Sequence, residues 1–260
     1  MEDLAFIVLK YAVNEQTNEF WKESYTSIRK IYPDIKILII DDNSPYQDNK
    51  PFKTTNCEIV MNEIPGKAEL SPYYYLHRKK VAKKVIIIHD TVFINEQITV
   101  EGIDTFRALW DFSHIWDFDT NNHRLLSNLD NNVDLIKFYH DKEKWKGSFG
   151  SMGVITWDFM DKIEKEFSFI KKLIPKFIKT SIYHQQHRQC LERIIGCVCA
   201  YVDGLQPSLY GDINKYSTKL SVNNARCKLN YDEYIKRKDD LKKLPILKVW
   251  AGRGCLVAGK

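Results

Sequence analysis

Polar and acidic side chains follow two apolar segments of this chain, at the point where each segment ends. The segment Lys36–Ile40 runs directly into two aspartates, an asparagine and a serine, and Lys84–Ile88 runs into a histidine, an aspartate and a threonine. Apolar, β-branched runs of this length are typical of buried strands. Ligands of open α/β sheets bind at the carboxyl ends of such strands. The candidate site residues are Asp41, Asp42, Asn43, His89 and Asp90.

These residue types predict a ligand with hydroxyls and a base, and a divalent metal beside it. A carboxylate such as Asp42 can accept a hydrogen bond from a ribose hydroxyl or from the imide N–H of uracil. Asp90 can hold Mg²⁺ or Mn²⁺ when phosphates and water supply the other ligands, and His89 suits Mn²⁺ better than Mg²⁺. Two structural alternatives stay open: Asp42 and Ser44 cap the following turn, and His89 is a hydrogen-bonded residue at a strand end.

Strands and helices alternate through the first 95 residues, and this order predicts how the polar residues are positioned. A helix lies between apolar strands at Leu4–Leu9 and Ile35–Ile40. A short strand at Cys57–Met61 and a helix that begins at Ser71–Pro72 lead to the strand Val85–Ile88. Strand–helix–strand units give parallel strands with right-handed crossovers. The sequence therefore predicts an α/β fold with a mostly parallel sheet flanked by helices.

This order of elements and motifs resembles the nucleotide-binding half of GT-A fold glycosyltransferases of the family-2-like kind. Ile39–Ser44 is similar to the strand that contacts the donor base, and His89–Thr91 stands where the family has its Asp-x-Asp motif. The resemblance covers about residues 4–95 closely and the remainder of the chain more loosely. It implies a GT-A-like, Rossmann-like fold and transfer of a sugar from a UDP- or GDP-linked donor to a hydroxyl of a glycan, lipid or protein.

The resemblance also implies a divalent metal, Mn²⁺ or Mg²⁺, as cofactor. His89 and Thr91 replace the two outer acids of the motif and leave only Asp90, which puts metal dependence, though not donor binding, in question. The Lys- and Asn-rich composition is similar to that of glycosyltransferase-like proteins of large DNA viruses.

In the second half of the chain, the resemblance implies a catalytic base on an acceptor helix. Glu192 is the candidate, because an inverting transfer needs a carboxylate that takes the proton of the acceptor hydroxyl. Arg188 lies four residues earlier on the same helix face and is a candidate to hold Glu192 or a phosphate. The alternative is an ordinary salt bridge on a helix surface, which stabilises little. Asp158 and Asp203 are weaker candidates for the base.

Further candidates would contact the donor sugar and its diphosphate. Trp145 precedes the glycine-rich segment Gly147–Gly153, so it is a candidate to stack on a sugar ring, or else a core residue beside a bulged edge strand. Lysine and arginine are natural phosphate partners. The C-terminal Lys248, Trp250 and Arg253 resemble segments that close over the diphosphate, the alternative being a basic tail with a docked tryptophan. The loop-based candidates for phosphate contact are Lys67 and Arg78.

Charge and hydropathy exclude two classes of protein. The net charge of +5 over 260 residues is too small and too dispersed for nucleic-acid binding. No apolar stretch reaches the roughly 20 residues that a membrane span needs. The acidic N-terminus lacks the features of a signal peptide, and the cysteines form no CxxC pair, so we expect a cytoplasmic protein with free thiols.

The chain is expected to form one domain over residues 1–260. Residues 1–95 form the nucleotide-binding half and 96–260 the acceptor and closing half, in which the Asn- and Asp-rich stretch 117–134 is expected to be loop. Two alternative functions stay open. One is a degenerate domain that binds nucleotide or glycan without catalysis. The other is a sugar nucleotidyltransferase, which the lack of glycine in Lys10–Glu15 argues against; a dehydrogenase is disfavoured because no GxGxxG follows the first strand.

Overall fold

The computed structural model describes residues 1–46, 50–114, 117–177, 184–220 and 229–252. Its strands are β1 (Glu2–Lys10), β2 (Lys36–Asp41), β3 (Cys57–Met61), β4 (Ala82–His89), β5 (Val92–Ile94), β6 (Phe106–Ala108), β7 (Asp111–Phe112), β8 (Gly147–Ser148), β9 (Gly153–Thr156) and β10 (Ile246–Lys248). Its helices are α1 (Glu15–Ile31), α2 (Ser71–Lys79), α3 (Asp119–Leu126), α4 (Asn132–His140), α5 (Trp157–Phe167), α6 (Phe169–Leu173), α7 (His184–Asp203), α8 (Ile213–Leu220) and α9 (Tyr231–Leu241).

The central sheet has six strands in the order β3-β2-β1-β4-β9-β6. Strands β3, β2, β1 and β4 run parallel, and β9 and β6 are antiparallel to their neighbours. This mixed, mostly parallel sheet flanked by helices confirms the predicted α/β fold class. The chain passes from β1 outward to β2 and β3, and then returns to β4 on the other side of β1. The carboxyl ends of β1 and β4 therefore form a topological switch point, where open α/β sheets bind ligands.

Each face of the sheet is covered by helices because its central strands are apolar on both sides. Side chains alternate between the faces of a strand, so neighbours in β1 enter different cores. Ile7 packs with residues of α2, α5 and α7, whereas Phe6 packs with residues of α1. Burial on both faces explains why β1 and β4 read as continuous hydrophobic runs.

Helix α1 begins directly after the capping residue Asn14. The Asn14 side chain accepts a hydrogen bond from the backbone N–H of Thr17, and the Thr17 hydroxyl oxygen accepts one from the N–H of Asn14. This reciprocal capping box satisfies two helix-end donors. The helix then returns the chain to β2, next to β1.

The second half of the chain adds smaller units around this sheet. β5 pairs with β10, and β7 pairs with β8, in two-stranded antiparallel sheets. The expectation of loop over 117–134 is wrong, because α3 and the start of α4 fall within it. Leu125, Leu126 and Leu129 are buried in the core on the α7 side of the sheet, and this burial outweighs the weak helix propensity of the Asn and Asp residues around them. Within the described part of the chain, every helix is too short or too polar to span a bilayer.

Candidate active site

Asp42 and Asp90 lie on either side of the end of β1. The backbone N–H of Asp42 donates to the carbonyl oxygen of Lys10 at 2.9 Å, and that of Asp90 donates to the carbonyl oxygen of Leu9 at 2.9 Å. The Asp90 carboxylate is buried and accepts a hydrogen bond from the backbone N–H of Tyr11 at 3.0 Å. The two strand-end acids therefore share one edge of the sheet, at its switch point.

Asp41, the first acid of the doublet, serves the fold. Its carboxylate is buried, accepts from the Lys10 ammonium at 2.6 Å and from the Ser44 N–H at 2.8 Å. The Lys10 ammonium also lies 5.3 Å from the centre of the Trp21 ring. Asp41 thus joins the ends of β1 and β2, and burial leaves its carboxylate little room for the predicted contact with a donor. Asn43 is exposed, with a backbone φ of +58°.

Asp42, the second acid, holds the loop that follows β3. Its Oδ1 accepts from the Asn62 side-chain amide at 2.7 Å and from the Gly66 N–H at 2.9 Å. The neighbouring Lys67 donates to the carbonyl oxygen of Phe177. Burial lowers the pKa of Lys67, and the negative charge of Asp42 opposes this shift. Asp42 and Lys67 therefore lie close together at the ligand edge.

Glu69 and Arg188 form a bidentate ion pair beside this edge. The guanidinium donates to the two Glu69 oxygens at 2.8 and 2.7 Å. Burial favours the neutral form of Glu69, but the charge of Arg188 outweighs it, so the pKa of Glu69 falls below its usual value. Arg188 thus directs its hydrogen bonds to Glu69 and not to Glu192, the partner that helix spacing suggested. Sequence reasoning missed Glu69, since no motif or spacing marks it.

The carboxylate of Glu192 has a raised pKa. Its Oε1 accepts from the Gly150 N–H at 3.1 Å, and its Oε2 lies 3.4 Å from an Arg193 guanidinium nitrogen. Burial raises the pKa of Glu192 to about 7, the Glu69 charge adds to this rise, and Arg193 opposes it. Gly150 has a φ of +62°, and a Cβ atom there would lie 3.0 Å from the His89 ring. A single glycine therefore separates Glu192 from the end of β4.

Lys248 reaches the end of β4 through the pairing of β10 with β5. Its ammonium donates to the Thr91 hydroxyl, and the N–H of Val249 donates to the Thr91 carbonyl oxygen at 2.9 Å. Burial lowers the pKa of His89 to about 4, and the charge of Lys248 lowers it further against the opposing charges of Glu69 and Asp90. His89 is therefore neutral at physiological pH and has a cation beside it.

The side chains at this edge fit a divalent metal poorly. Among the described residues, no group of three or more histidine, cysteine, aspartate or glutamate side chains could hold a metal ion. The strand end offers Asp90 and His89, and the charges of Lys248 and Arg188 act on the same imidazole. A dication bound here would meet Asp90 and His89 as donors beside these two cations, and the third nearby carboxylate, Glu69, is held in its ion pair with Arg188. Most of the ligands of such an ion would therefore have to come from a nucleotide and water.

Other predicted residues lie away from this edge. Trp145 is fully buried, with its ring 5.1 Å from that of Tyr139 and its N–H donating to the Tyr139 carbonyl oxygen, so it is a core residue and cannot stack on a sugar. Arg78 is exposed in the last turn of α2, which precedes β4, and lies at the opposite edge of the sheet. Asp203 accepts from Thr105 at the far end of α7 from Glu192, and Asp158 is exposed on α5.

A groove beside Glu192, here called the Phe149 groove, opens to solvent. Its volume is about 130 Å³. Trp250, predicted to contact the donor, packs on the Phe149 ring with centroids 6.0 Å apart, and Arg253 lies outside the described residues. The groove is lined by Phe112, Ser113, Phe149, Glu192, Arg193, Ile213 and Asn214.

Helix α7 packs against β8 through a backbone contact at Gly196. A Cβ atom at this position would lie 2.0 Å from the carbonyl oxygen of Lys146, so only glycine allows the helix to approach so closely. Gly196 follows Glu192 by about one helical turn. The contact therefore sets the position of Glu192 above the sheet.

Comparisons with known proteins complete the description. No protein-family model matches the chain, and no curated protein matches it either. Among solved structures, TarS 1–349 from S. aureus aligns with a TM-score of 0.42 and 11% sequence identity, over 92% of this chain and 74% of that one.

Proposed function

We propose that this chain is a glycosyltransferase that moves a sugar from a UDP- or GDP-linked donor to an acceptor hydroxyl. The observation that supports this most is the meeting of three acids at one switch point: Asp42 and Asp90 flank the end of β1, and Glu192 reaches the same edge from α7 through Gly150. The resemblance of the β2 and β4 end motifs to GT-A enzymes agrees with this placement.

The donor diphosphate binds among cations in this proposal. Lys67 and Arg188 both lie within electrostatic reach of Asp42, and Lys248 lies within reach of His89. Fixed positive charges of this kind stabilise the negative charge that develops on a leaving phosphate. They supply part of the charge that a metal ion provides in enzymes with a complete Asp-x-Asp motif.

Glu192 acts as the general base. Its carboxylate takes the proton of the acceptor hydroxyl while that oxygen forms a bond to the anomeric carbon of the donor sugar. The bond between the anomeric carbon and the diphosphate oxygen breaks in the same step, and the nucleoside diphosphate leaves with the electron pair. Attack opposite the leaving group inverts the anomeric configuration. A base with a pKa of about 7 suits this task at neutral pH.

A second candidate function is binding of nucleotide or glycan without transfer. The observation that favours it is the replacement of both outer acids of the Asp-x-Asp position by His89 and Thr91. A measurement of turnover distinguishes the transferase from the non-catalytic binding domain. A release of nucleoside diphosphate from a UDP- or GDP-hexose that Glu192→Gln abolishes would exclude the non-catalytic candidate.

Nucleotide binding is tested by thermal unfolding with UDP or GDP, each with Mn²⁺ or with EDTA. A ligand at about 100 times its dissociation constant stabilises the fold by about 2.7 kcal/mol, so we expect a clear rise in Tm. Asp42→Asn should reduce this rise, whereas Asp134→Asn, an exposed position on α4, should leave it unchanged. Because the strand end fits a dication poorly, the rise should persist in EDTA. No rise with any nucleotide at millimolar concentration would refute the proposed function.

A further inference from the structure

We infer that the Phe149 groove binds the ring of a neutral saccharide, so that the acceptor is a glycan. This inference rests on the proposed function, since it places an acceptor beside the base Glu192. The groove volume of about 130 Å³ is smaller than the about 300–1,000 Å³ of sites that enclose a drug-sized ligand, so the groove would hold a single sugar ring at its open face, with any further ring outside it.

The walls of the groove are aromatic. Phe149 is half-buried, so part of its ring faces the opening, and Phe112 and Ile213 are buried beneath it. Trp110 and Trp250 pack on Phe149 with centroid distances of 6.5 and 6.0 Å, which hold its ring in place. The C–H face of a pyranose is apolar and flat, and the fixed face of an aromatic ring is a suitable surface for it.

The rim of the groove is polar. Ser113 and Asn214 are exposed at the rim, and a hydroxyl and an amide can each donate and accept hydrogen bonds, as sugar hydroxyls do. A lipid chain would require a continuous apolar wall, which these two residues interrupt. The alternation of ring face and polar rim therefore favours a saccharide over a lipid.

The charge in the groove favours a neutral ligand. The Arg193 guanidinium lies over the Phe112 ring at 4.6 Å and within 3.3 Å of Asp117 and 3.4 Å of Glu192. Its charge is thus shared between two carboxylates. An anionic sugar would be placed beside the Glu192 carboxylate and would be repelled by it.

Glu192 connects the groove with the donor edge. One carboxylate oxygen is fixed by the Gly150 N–H, and Gly150 lies so close to the His89 ring at the end of β4 that a Cβ atom on it would be 3.0 Å away. A hydroxyl of a sugar bound on Phe149 therefore approaches Glu192 from the groove, while the donor approaches from the strand ends. The carboxylate lies between the two substrates, as the proposed reaction requires.

The test is saturation-transfer NMR with the protein and a panel of methyl glycosides and disaccharides of glucose, galactose and N-acetylglucosamine, with and without UDP or GDP. We expect transfer to the ring protons of at least one neutral saccharide. Phe149→Ala should weaken this binding about tenfold, equivalent to about 1.4 kcal/mol. Asn214→Ala, at the exposed rim, should weaken it about threefold, since it removes one hydrogen-bonding group.

Two matched variants control for indirect effects. Phe138→Ala removes a half-buried phenylalanine from α4, and Lys215→Ala removes an exposed side chain next to Asn214 on α8. Both should bind saccharide as the unmodified protein does. If Phe149→Ala fails to fold, Asn214→Ala with its Lys215→Ala control still decides the test.

The results separate this inference from the proposed function. If nucleotides raise the Tm but no saccharide binds, or if Phe149→Ala and Asn214→Ala both bind saccharide normally, the inference is overturned and the proposed function stands. If saccharide binds through Phe149 but no nucleotide binds, the groove stands as a glycan site and the transferase proposal is overturned.

Discussion

Asp117 and Glu192 both lie beside the Arg193 guanidinium, but the pKa values of their carboxylates are shifted in opposite directions. Asp117 lies 3.3 Å from the guanidinium and also accepts from His114 at 2.9 Å and Lys142 at 2.8 Å. Burial alone would raise the pKa of Asp117, but these hydrogen bonds outweigh it and hold the pKa at about 2. Glu192 lies 3.4 Å from the same guanidinium, and its pKa is about 7.

The difference arises from the number of positive partners, since both side chains are largely buried. The Asp117 side chain is 6% exposed and that of Glu192 is 18% exposed. Asp117 has two further basic hydrogen-bond partners, whereas Glu192 has a backbone N–H and a nearby anion, Glu69. A fully paired acid stabilises the fold, and an under-paired acid with a shifted pKa is suited to proton transfer.

The largest expected effect is on turnover in Glu192→Gln. The amide keeps the shape of the side chain but cannot take a proton, so the transfer rate should fall by about 10²- to 10⁴-fold. The free energy of unfolding should not fall, because the burial cost of a charge and its repulsion from Glu69 are both removed. Initial rates with a UDP- or GDP-hexose and urea unfolding measure the two quantities. A rate within tenfold of the unmodified enzyme would show that Glu192 is not the base.

The corresponding change at the other carboxylate, Asp117→Asn, should act on stability. Breaking a buried ion pair leaves charged partners uncompensated and costs about 3 kcal/mol. Nucleotide binding, measured by titration calorimetry well below the Tm, should change little because Asp117 lies apart from the strand ends. The contrast between the two carboxylates would be lost if Asp117→Asn unfolded at the same urea concentration as the unmodified protein.

The smallest expected effect is on the pH dependence of stability, which should have opposite signs for Glu192 and Asp117. Because Glu192 must be ionised to act as a base, kcat/KM should rise about tenfold per pH unit below pH 7 and level off above it. The raised pKa of Glu192 means that its contribution to stability is lost as pH rises from about 4.5 through about 7. The depressed pKa of Asp117 means that its contribution is lost as pH falls from 3.8 through about 2.

Urea unfolding at a series of pH values tests both signs. The stability gained in Glu192→Gln should grow between pH 4.5 and 7, and the stability lost in Asp117→Asn should shrink as the pH falls below 3.8. A pH-independent difference for either variant would contradict the corresponding pKa.

The sequence was sufficient to predict the four parallel strands of the sheet, because period, length and capping are local signals. The buried strands and the capping box at Asn14 have such signals, and so do the polar residues that follow β2 and β4. The ion pairs of Glu69 with Arg188 and of Asp117 with Arg193 could not be predicted, since Arg188 is 119 residues from Glu69 and Arg193 is 76 residues from Asp117. The sequence also does not show in which direction a side chain points, so it could not distinguish the role of Asp41 from that of Asp42.

Two predictions, the loop at 117–134 and the sugar contact of Trp145, were wrong because side chains that are polar or aromatic in the sequence are packed in the core. The Asn- and Asp-rich stretch 117–134 reads as loop, yet Asn122 on α3 is fully buried and donates to the Tyr139 hydroxyl at 2.9 Å, so a polar residue there is part of the core. Trp145 was predicted as a surface on which a sugar could stack, but the ring is fully buried, stacks on Tyr139 and donates its N–H to the Tyr139 carbonyl oxygen.

The contact at Gly196 restricts which parts of the candidate site can move. With the α7 backbone packed directly on the backbone of Lys146 and Gly147, the helix has no room to move closer to β8. In the proposed reaction, closure around the substrates would then come from the opposite wall, and a bulkier residue at 196 would push the proposed base away from both substrates without touching either of them.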